Sequence, residues 1–515
     1  MSTPGSPQRG HADDDRRAGP APVRDLDWSP ERGRELADAF VALWTELLAE
    51  LPKLPVSRGE AQPVVEDAVA LPVPDEPLAL EELVEHLREV IAHGTHIGHP
   101  RFLAYICGSG TVPGAAGELL AAGAVQNAGG WMIAPAAHEV ERVVVQWLAS
   151  ELGLPPSAGG VFVTGGAIGN LVGLKLARDQ KAGSNVREDG LAGTNLTMYA
   201  SEEAHDTIGR AADILGLGAA AVRKIPADDV LRMRVDALEA RITDDLRAGA
   251  RPIAVVGTAG TTGTGSIDPL PELAAVCERF GLWFHVDAAY GGPAVLADDL
   301  RPLLAGVEHA DSVTVDAHKW LYAAAPAGCI LAREERHLAE SFAVDASYLY
   351  EDKERTSRGA HAAGISPTFS RGFDVLKVWV ALLAHGRSAF ARRIAHDAAL
   401  ARYLGEQVEA RPDFELAAPV SLSICCFRYR PPDLPHDETV ATYVDRLNER
   451  LLTELQLDGR VLPSNAVVHG RFALRACITN IRTEAEDLDA LLDIAAELGE
   501  RLDDVLRPEL ASDAS

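Results

Sequence analysis

The sequence predicts an α/β fold. A mostly parallel central sheet carries helices on both faces, with a helical segment before it and a small α+β domain after it. Three observations predict this. Across residues 101–385, short apolar runs alternate with helical periodicity, the spacing that builds parallel sheets. Upstream, apolar residues recur at helical intervals around a Pro-rich connector. Downstream of residue 386, a long helical pattern leads to short strands and two further helices.

Taken in order, residues 1–25 are rich in Pro, Gly, Ser, Asp and Arg and bury too little surface to offset ordering entropy, so a disordered tail is expected. Residues 26–100 form the helical segment. One helix begins after Ser29-Pro30, with Leu36, Phe40, Leu43, Leu47 and Leu48 on one stripe, and a second spans Leu80 to Ala92 beyond a connector at 52–76. This segment has no compact core of its own and needs a partner surface, such as a second subunit. In the large domain, Val161–Val163, Leu196–Tyr199, Ile253–Val256, Trp283–Val286 and Val313–Val315 read as strands. Helical stretches follow at Ile168–Gln180, near His205–Leu215 and at Pro271–Phe280. Residues 386–507 form the small domain, with helices at Arg387–Glu409, Glu438–Leu455 and Glu486–Leu502 and strands at Ser423–Phe427 and Ala473–Ile478. Residues 508–515 are expected as a tail.

Composition excludes several classes. With 48 basic and 76 acidic residues the net charge is −28, which disfavours nucleic acid and anionic membrane surfaces as partners. No apolar run is long enough to span a bilayer, and no secretory leader is seen at the N-terminus. The six cysteines, Cys107, Cys277, Cys329, Cys425, Cys426 and Cys477, form no CxxC pair and read as reduced apolar residues, so a cytoplasmic location is expected. No metal is expected.

Ligands of parallel sheets bind at the carboxyl ends of strands. After Val163 comes Thr164-Gly165-Gly166-Ala167-Ile168-Gly169-Asn170 and then a helix, which suits a phosphate, although such a turn is often only a tight turn. No GKS or GKT follows, and Thr258 to Gly265 lacks dinucleotide-site spacing. His205 follows the second strand. Asp287 ends the 283–286 run, and Lys319 follows Asp316-Ala317-His318. Singly, each is equally a buried ion pair or a cap. Together they suit pyridoxal 5'-phosphate, which needs a lysine amine, an acid to keep its ring nitrogen protonated and an anion site for its phosphate. Ala289 is small enough to lie against one ring face, and a flat imidazole such as His205 suits the other.

The runs His285-Val286-Asp287-Ala288-Ala289-Tyr290-Gly291-Gly292 and Asp316-Ala317-His318-Lys319-Trp320-Leu321 resemble those of the group II pyridoxal-phosphate-dependent decarboxylases of fold type I (aspartate aminotransferase-like). That group includes aromatic-amino-acid, histidine, glutamate and 2,4-diaminobutyrate decarboxylases. Their separation, 319 − 287 = 32 residues, matches the family pattern. The resemblance implies that Lys319 carries the cofactor, Asp287 partners the ring nitrogen, His205 stacks on the ring and Ala289 touches its other face. It places Gly166, Ala167 and His318 at the phosphate and Thr262 near the 3-hydroxyl. Asp316 stands where some members have asparagine.

The resemblance also implies that Tyr348 protonates the substrate carbon after carboxylate loss, within a closing segment continuing over Glu351 to Gly364. Arg371 resembles an arginine that supports the site. The pocket wall after His99-Pro100-Arg101-Phe102 reads Tyr105-Ile106-Cys107-Gly108-Ser109, with Trp131 on a second wall. The expected function is decarboxylation of an L-amino acid, aromatic or otherwise hydrophobic, to its amine and carbon dioxide, by a homodimer. Alternatives are glutamate or 2,4-diaminobutyrate as substrate, an oxidative aldehyde-forming or transaminating outcome, and a non-catalytic relative.

Overall fold

The structure is a computed structural model that describes residues 23–183, 185–343, 364–435 and 438–513. Seven strands form the large sheet: β1 (Gly159–Val163), β2 (Leu196–Ser201), β3 (Val222–Ile225), β4 (Arg251–Thr258), β5 (Trp283–Asp287), β6 (Ser312–Asp316) and β7 (Gly328–Ala332). Their order is β1-β7-β6-β5-β4-β2-β3. Strands β2 to β6 pair in parallel, while β7 runs antiparallel to both β1 and β6. Every residue of β2, β5, β6 and β7 is buried, which explains why these strands read as continuous apolar runs instead of alternating.

The helix Gly166–Lys181 crosses the sheet over β4 to β7. The helix Leu270–Phe280 has Pro271 in its first turn and ends at Gly281, whose φ of 69° stops it and turns the chain into β5. The expected strands and helices of this domain are present with extended ends. The helix after His205 starts at Thr207.

The C-terminal part holds β8 (Phe414–Leu416), β9 (Ile424–Tyr429), β10 (Ser464–Val468) and β11 (Arg471–Cys477) in the antiparallel order β10-β11-β9-β8. Helices Arg387–Ala410, Glu438–Asp458 and Ala485–Asp513 pack on it around Leu404, Phe427, Leu447, Leu474 and Leu491. The last helix runs through Pro508 to Asp513, into the stretch expected as a tail.

In the N-terminal segment, helices Pro30–Glu50 and Leu80–Ala92 stand where expected, and the connector carries an extra helix, Gln62–Val69. Of these three helices only the first buries a residue, Leu43, so their apolar faces find little cover within the chain. Among the described residues no helix is long and apolar enough to cross a membrane.

Candidate active site

The site forms where β5 and β6 end. Their register pairs His285 with Ser312 and Asp287 with Thr314, so Asp287 and Asp316 finish neighbouring parallel strands on one sheet edge. Lys319 lies one turn beyond Asp316, its Nζ 3.0 Å from Asp316 Oδ2. Asp316 is 1% exposed, and its Oδ1 has no partner among the described residues. Its charge is therefore balanced chiefly by the lysine.

Asp287 is also buried, and its partners are neutral donors. Asn170 Nδ2 donates to Oδ2 at 2.8 Å, and the Ala289 amide donates to Oδ1 at 3.2 Å. These two bonds fix the orientation of the carboxyl group. Asn170 comes from the helix that starts at Gly166, where the first amides have no intrahelical acceptor and the helix dipole favours an anion. A methyl group added at Gly166 would stand 2.8 Å from Asp316 Oδ2 and 3.2 Å from Ala289 Cβ. Gly166, Ala167, Ala289 and Asp316 thus meet in one place.

His318 Nδ1 accepts from the Ala327 amide at 3.2 Å, so its proton resides on Nε2, 3.7 Å from Asp316 Oδ2. Burial lowers its pKa and keeps the ring neutral. His205 is exposed, and its Nδ1 accepts from the Thr207 amide at 3.2 Å. Thr207 Oγ1 in turn accepts from Asn170 Nδ2 at 3.2 Å, which ties His205 to the Asp287 group. Thr262 is exposed in the tight turn that starts at Gly260 (φ 95°).

The expected pocket wall lies against the lysine. The Gly108 amide donates to the His318 carbonyl at 3.0 Å, and a side chain at Gly108 would collide with the Lys319 backbone. Ile106 is buried and Tyr105 is exposed, with φ 54°. Burial raises the Cys107 thiol pKa, opposed by the charges of Lys319 and Arg475. Trp131 is half-buried in a short turn. Arg371 points into a support: its Nη2 meets Glu141 and the Phe162 carbonyl, and its backbone holds Asn127 and Ala128. It braces the end of β1 and the Trp131 wall. Tyr348 and residues 351–363 of the closing segment lie outside the described residues.

Sequence reasoning missed Arg475. The residue is 2% exposed, yet among the described residues no carboxylate pairs with it. It donates to the carbonyls of Gly263 (3.0 Å) and Tyr105 (2.9 Å) and to Ser464 Oγ (3.1 Å), and Nη2 has no acceptor among the described residues. Its contact with Tyr105 spans 370 positions, so no local pattern could have revealed it.

A lysine amine, a buried carboxyl group bonded by two amide donors, and a glycine-opened helix start beside His318 fit pyridoxal phosphate. The conserved-domain profile of pyridoxal-dependent decarboxylases matches residues 64–430. The chain belongs to that family. This decarboxylase is 32% identical over 468 residues to an aromatic-L-amino-acid decarboxylase of Bacillus atrophaeus, covering 90% of this chain and 94% of the relative. The crystal structure of Oryza sativa TDC with PLP and tryptamine superposes with a TM-score of 0.86 at 26% identity, over 92% of this decarboxylase and 99% of that chain. Mouse CSAD superposes with a TM-score of 0.85 at 29% identity, over 92% and 99%. The decarboxylase is thus a pyridoxal-phosphate-dependent carboxy-lyase of fold type I.

Proposed function

We propose that this decarboxylase takes an aromatic L-amino acid and returns its amine and carbon dioxide. The observation that carries the reading is the juxtaposition of Asp287 and the Asp316–Lys319 pair at the ends of β5 and β6, with Gly108 packed against the Lys319 backbone. The relationship to the Bacillus atrophaeus aromatic-L-amino-acid decarboxylase supports the substrate class.

Pyridoxal phosphate, when bound, supplies a conjugated ring that accepts the electrons of the breaking Cα–carboxylate bond. The chain's residues do the rest. Lys319 offers the amine that holds the cofactor, and Asp316 steadies that amine. Asp287 holds a proton at the ring nitrogen. The amides of Gly166 and Ala167, with His318, take the phosphate. His205 and Ala289 would flank the ring, and Thr262 would lie near its 3-hydroxyl. Tyr348 delivers a proton to Cα, so that the amine leaves with one hydrogen in place of its carboxylate. Tyr105, Ile106, Cys107 and Trp131 line the side-chain pocket, and Arg371 keeps that wall in place.

The working unit in this reading is a cytoplasmic homodimer. The dimerisation segment is 26–100, the cofactor-binding domain 101–385 and the small domain 386–507. Exposed apolar residues support it. Leu119 (62%), Leu120 (63%), Val125 (85%) and Ile133 (60%) lie bare, as do Phe40 and Val41 of the first helix. Six free cysteines, five of them buried, fit a reducing compartment.

The test is a panel of tryptophan, tyrosine, phenylalanine and glutamate, read by carbon dioxide release and mass spectrometry of the amines, with light scattering for mass. Turnover of at least one aromatic acid is expected, with loss of both turnover and the visible absorbance band in Lys319→Ala. Glutamate as the better substrate by 100-fold would overturn the substrate class, and a single-chain mass at micromolar concentration would overturn the dimer.

A further inference from the structure

Beneath Asp287 runs a line of buried polar side chains that the reaction does not itself use. His285 precedes Asp287 by two residues on β5, so both side chains share one sheet face. His285 is 0% exposed, and both of its ring nitrogens are engaged. Nε2 lies 3.0 Å from Asn170 Oδ1, and Nδ1 lies 2.8 Å from Ser312 Oγ. Ser312 Oγ also accepts from Trp283 Nε1 at 2.8 Å.

Chemistry fixes the direction of every bond. The indole N–H can only donate, so Ser312 accepts from Trp283. At the far end Asn170 Nδ2 donates to Asp287 Oδ2, which leaves the Asn170 carbonyl to face His285. Nε2 of His285 must then carry a proton. A neutral ring, which burial enforces by lowering its pKa to about 4, leaves Nδ1 to accept from the Ser312 hydroxyl. The donors therefore all point one way: Trp283 to Ser312 to His285 to Asn170 to Asp287. The Asn170 N–H aimed at Oδ2 fixes that oxygen of Asp287 as an acceptor.

The packing is shaped around this line. A methyl group on Gly173 would stand 2.5 Å from two ring atoms of His285, and one on Gly169 would stand 2.6 Å from Thr314 Cγ2. Two glycines inside one helix are unfavourable for helix formation, and here they admit the imidazole and the strand beneath it.

We propose that Asn170 and His285 are positioning residues. They form a one-way hydrogen-bond chain that orients the Asp287 carboxyl, with Oδ2 tied back into the core, for the cofactor's ring nitrogen. The proposal rests on the reading of Asp287 as that nitrogen's partner. His285 touches neither substrate nor cofactor and acts only through Asn170.

The experiment uses purified protein titrated with pyridoxal 5'-phosphate, with cofactor affinity read by visible absorbance alongside kcat and KM. Each variant's melting temperature without cofactor separates folding from function. His285→Leu keeps approximate volume and breaks the chain. His285→Gln can still donate to Asn170 and accept from Ser312. The Leu variant should bind cofactor about tenfold more weakly and lose about tenfold in kcat with KM little changed, the scale of a lost bond to a charged group. The Gln variant should recover both to within about threefold of the parent, the difference between one restored bond and none. Asn170→Leu should match or exceed His285→Leu, and the Asn170→Leu/His285→Leu pair should be no worse than Asn170→Leu alone, because the residues act in series.

The proposal is overturned if His285→Leu leaves affinity and kcat within about twofold, if Gln does no better than Leu at equal melting temperature, or if the two Leu changes add. If either His285 variant fails to fold, the Asn170→Leu affinity and kcat decide on the same thresholds. Asp287→Asn runs alongside. If that variant keeps parental affinity and turnover, the reading of Asp287 falls. If it loses them while the His285 and Asn170 variants do not, only the chain falls.

Discussion

Gly173→Ala isolates the packing around His285 from its chemistry. In an exposed helix this change stabilises by about 1 kcal/mol, because alanine loses less backbone freedom than glycine. Here the new methyl group would lie 2.5 Å from Cε1 and Nδ1 of His285 and 3.2 Å from Nε2. The imidazole cannot swing away freely, since both nitrogens are bonded and the residue is fully buried. Overpacking of this kind costs about 1–3 kcal/mol, and a displaced imidazole bond adds about 1 kcal/mol. Against the helix gain, the net is a loss of about 1–3 kcal/mol. Gly209→Ala is the internal control, because Gly209 is also helical and nothing stands within 4 Å of its new methyl group. Urea denaturation of the two variants beside the parent checks both. Gly209→Ala should gain up to about 1 kcal/mol and Gly173→Ala should lose stability. If Gly173→Ala is as stable as the parent, the imidazole is not clamped and the reasoning fails.

Two more outcomes follow from the same geometry. Burial drives the His285 pKa down to about 4, against about 6.5 in an unfolded chain, so between those values the unfolded state binds more protons and stability falls as pH falls. His285→Gln does not titrate and should gain on the parent by about 2 kcal/mol between pH 6.5 and pH 5 in urea melts, while the opposing buried acids Asp268 and Asp397, both pushed up to about 6, cancel because both proteins keep them. Arg475→Met should raise KM for the amino acid at least about tenfold in steady-state kinetics, because a buried guanidinium with a spare N–H beside Tyr105 is a ready partner for a carboxylate. An unchanged KM would make Arg475 a purely structural tie.

Much of the large domain was legible because its strands are buried on both faces and flanked by turn residues, so β4, β5 and β6 stood out as apolar runs. The direction of β7 was not legible. Cys329-Ile330-Leu331 is as apolar as its parallel neighbours, and only its pairing with both β1 and β6 sets it antiparallel. Helices Val112–Ala124 and Val375–His385 carry no clear polar stripe, since they pack on each other and on the large domain, and periodicity gave no sign of them. Asp287 and Lys319 were legible because an acid and a lysine closing apolar strands contradict their surroundings. Asn170 and Ser312 were not, because small polar residues beside glycine or at a strand start look like ordinary turn chemistry. Their meaning exists only once β5, β6 and the crossing helix are stacked.

The arrangement also explains why the chemistry is confined to one edge of the sheet. Asp287 and Asp316 end adjacent parallel strands, so two buried carboxylates lie side by side, and each is made tolerable differently. Among the described residues Asp316 relies on one cation, Lys319, and its second oxygen has no partner. Asp287 relies on oriented neutral donors with no cation among its direct hydrogen-bond partners. In the proposed reading of Asp287 as partner of the cofactor's ring nitrogen, a counter-charge beside it would compete with that nitrogen. Neutral donors stabilise the anion without neutralising it. In the same proposed reading the Lys319 amine is surrendered to the cofactor, and the Asp316 carboxylate 3.0 Å away holds it until then. The two surroundings differ, and the hydrogen-bonded core under β5 holds Asp287 in place with no partner ion among the described residues.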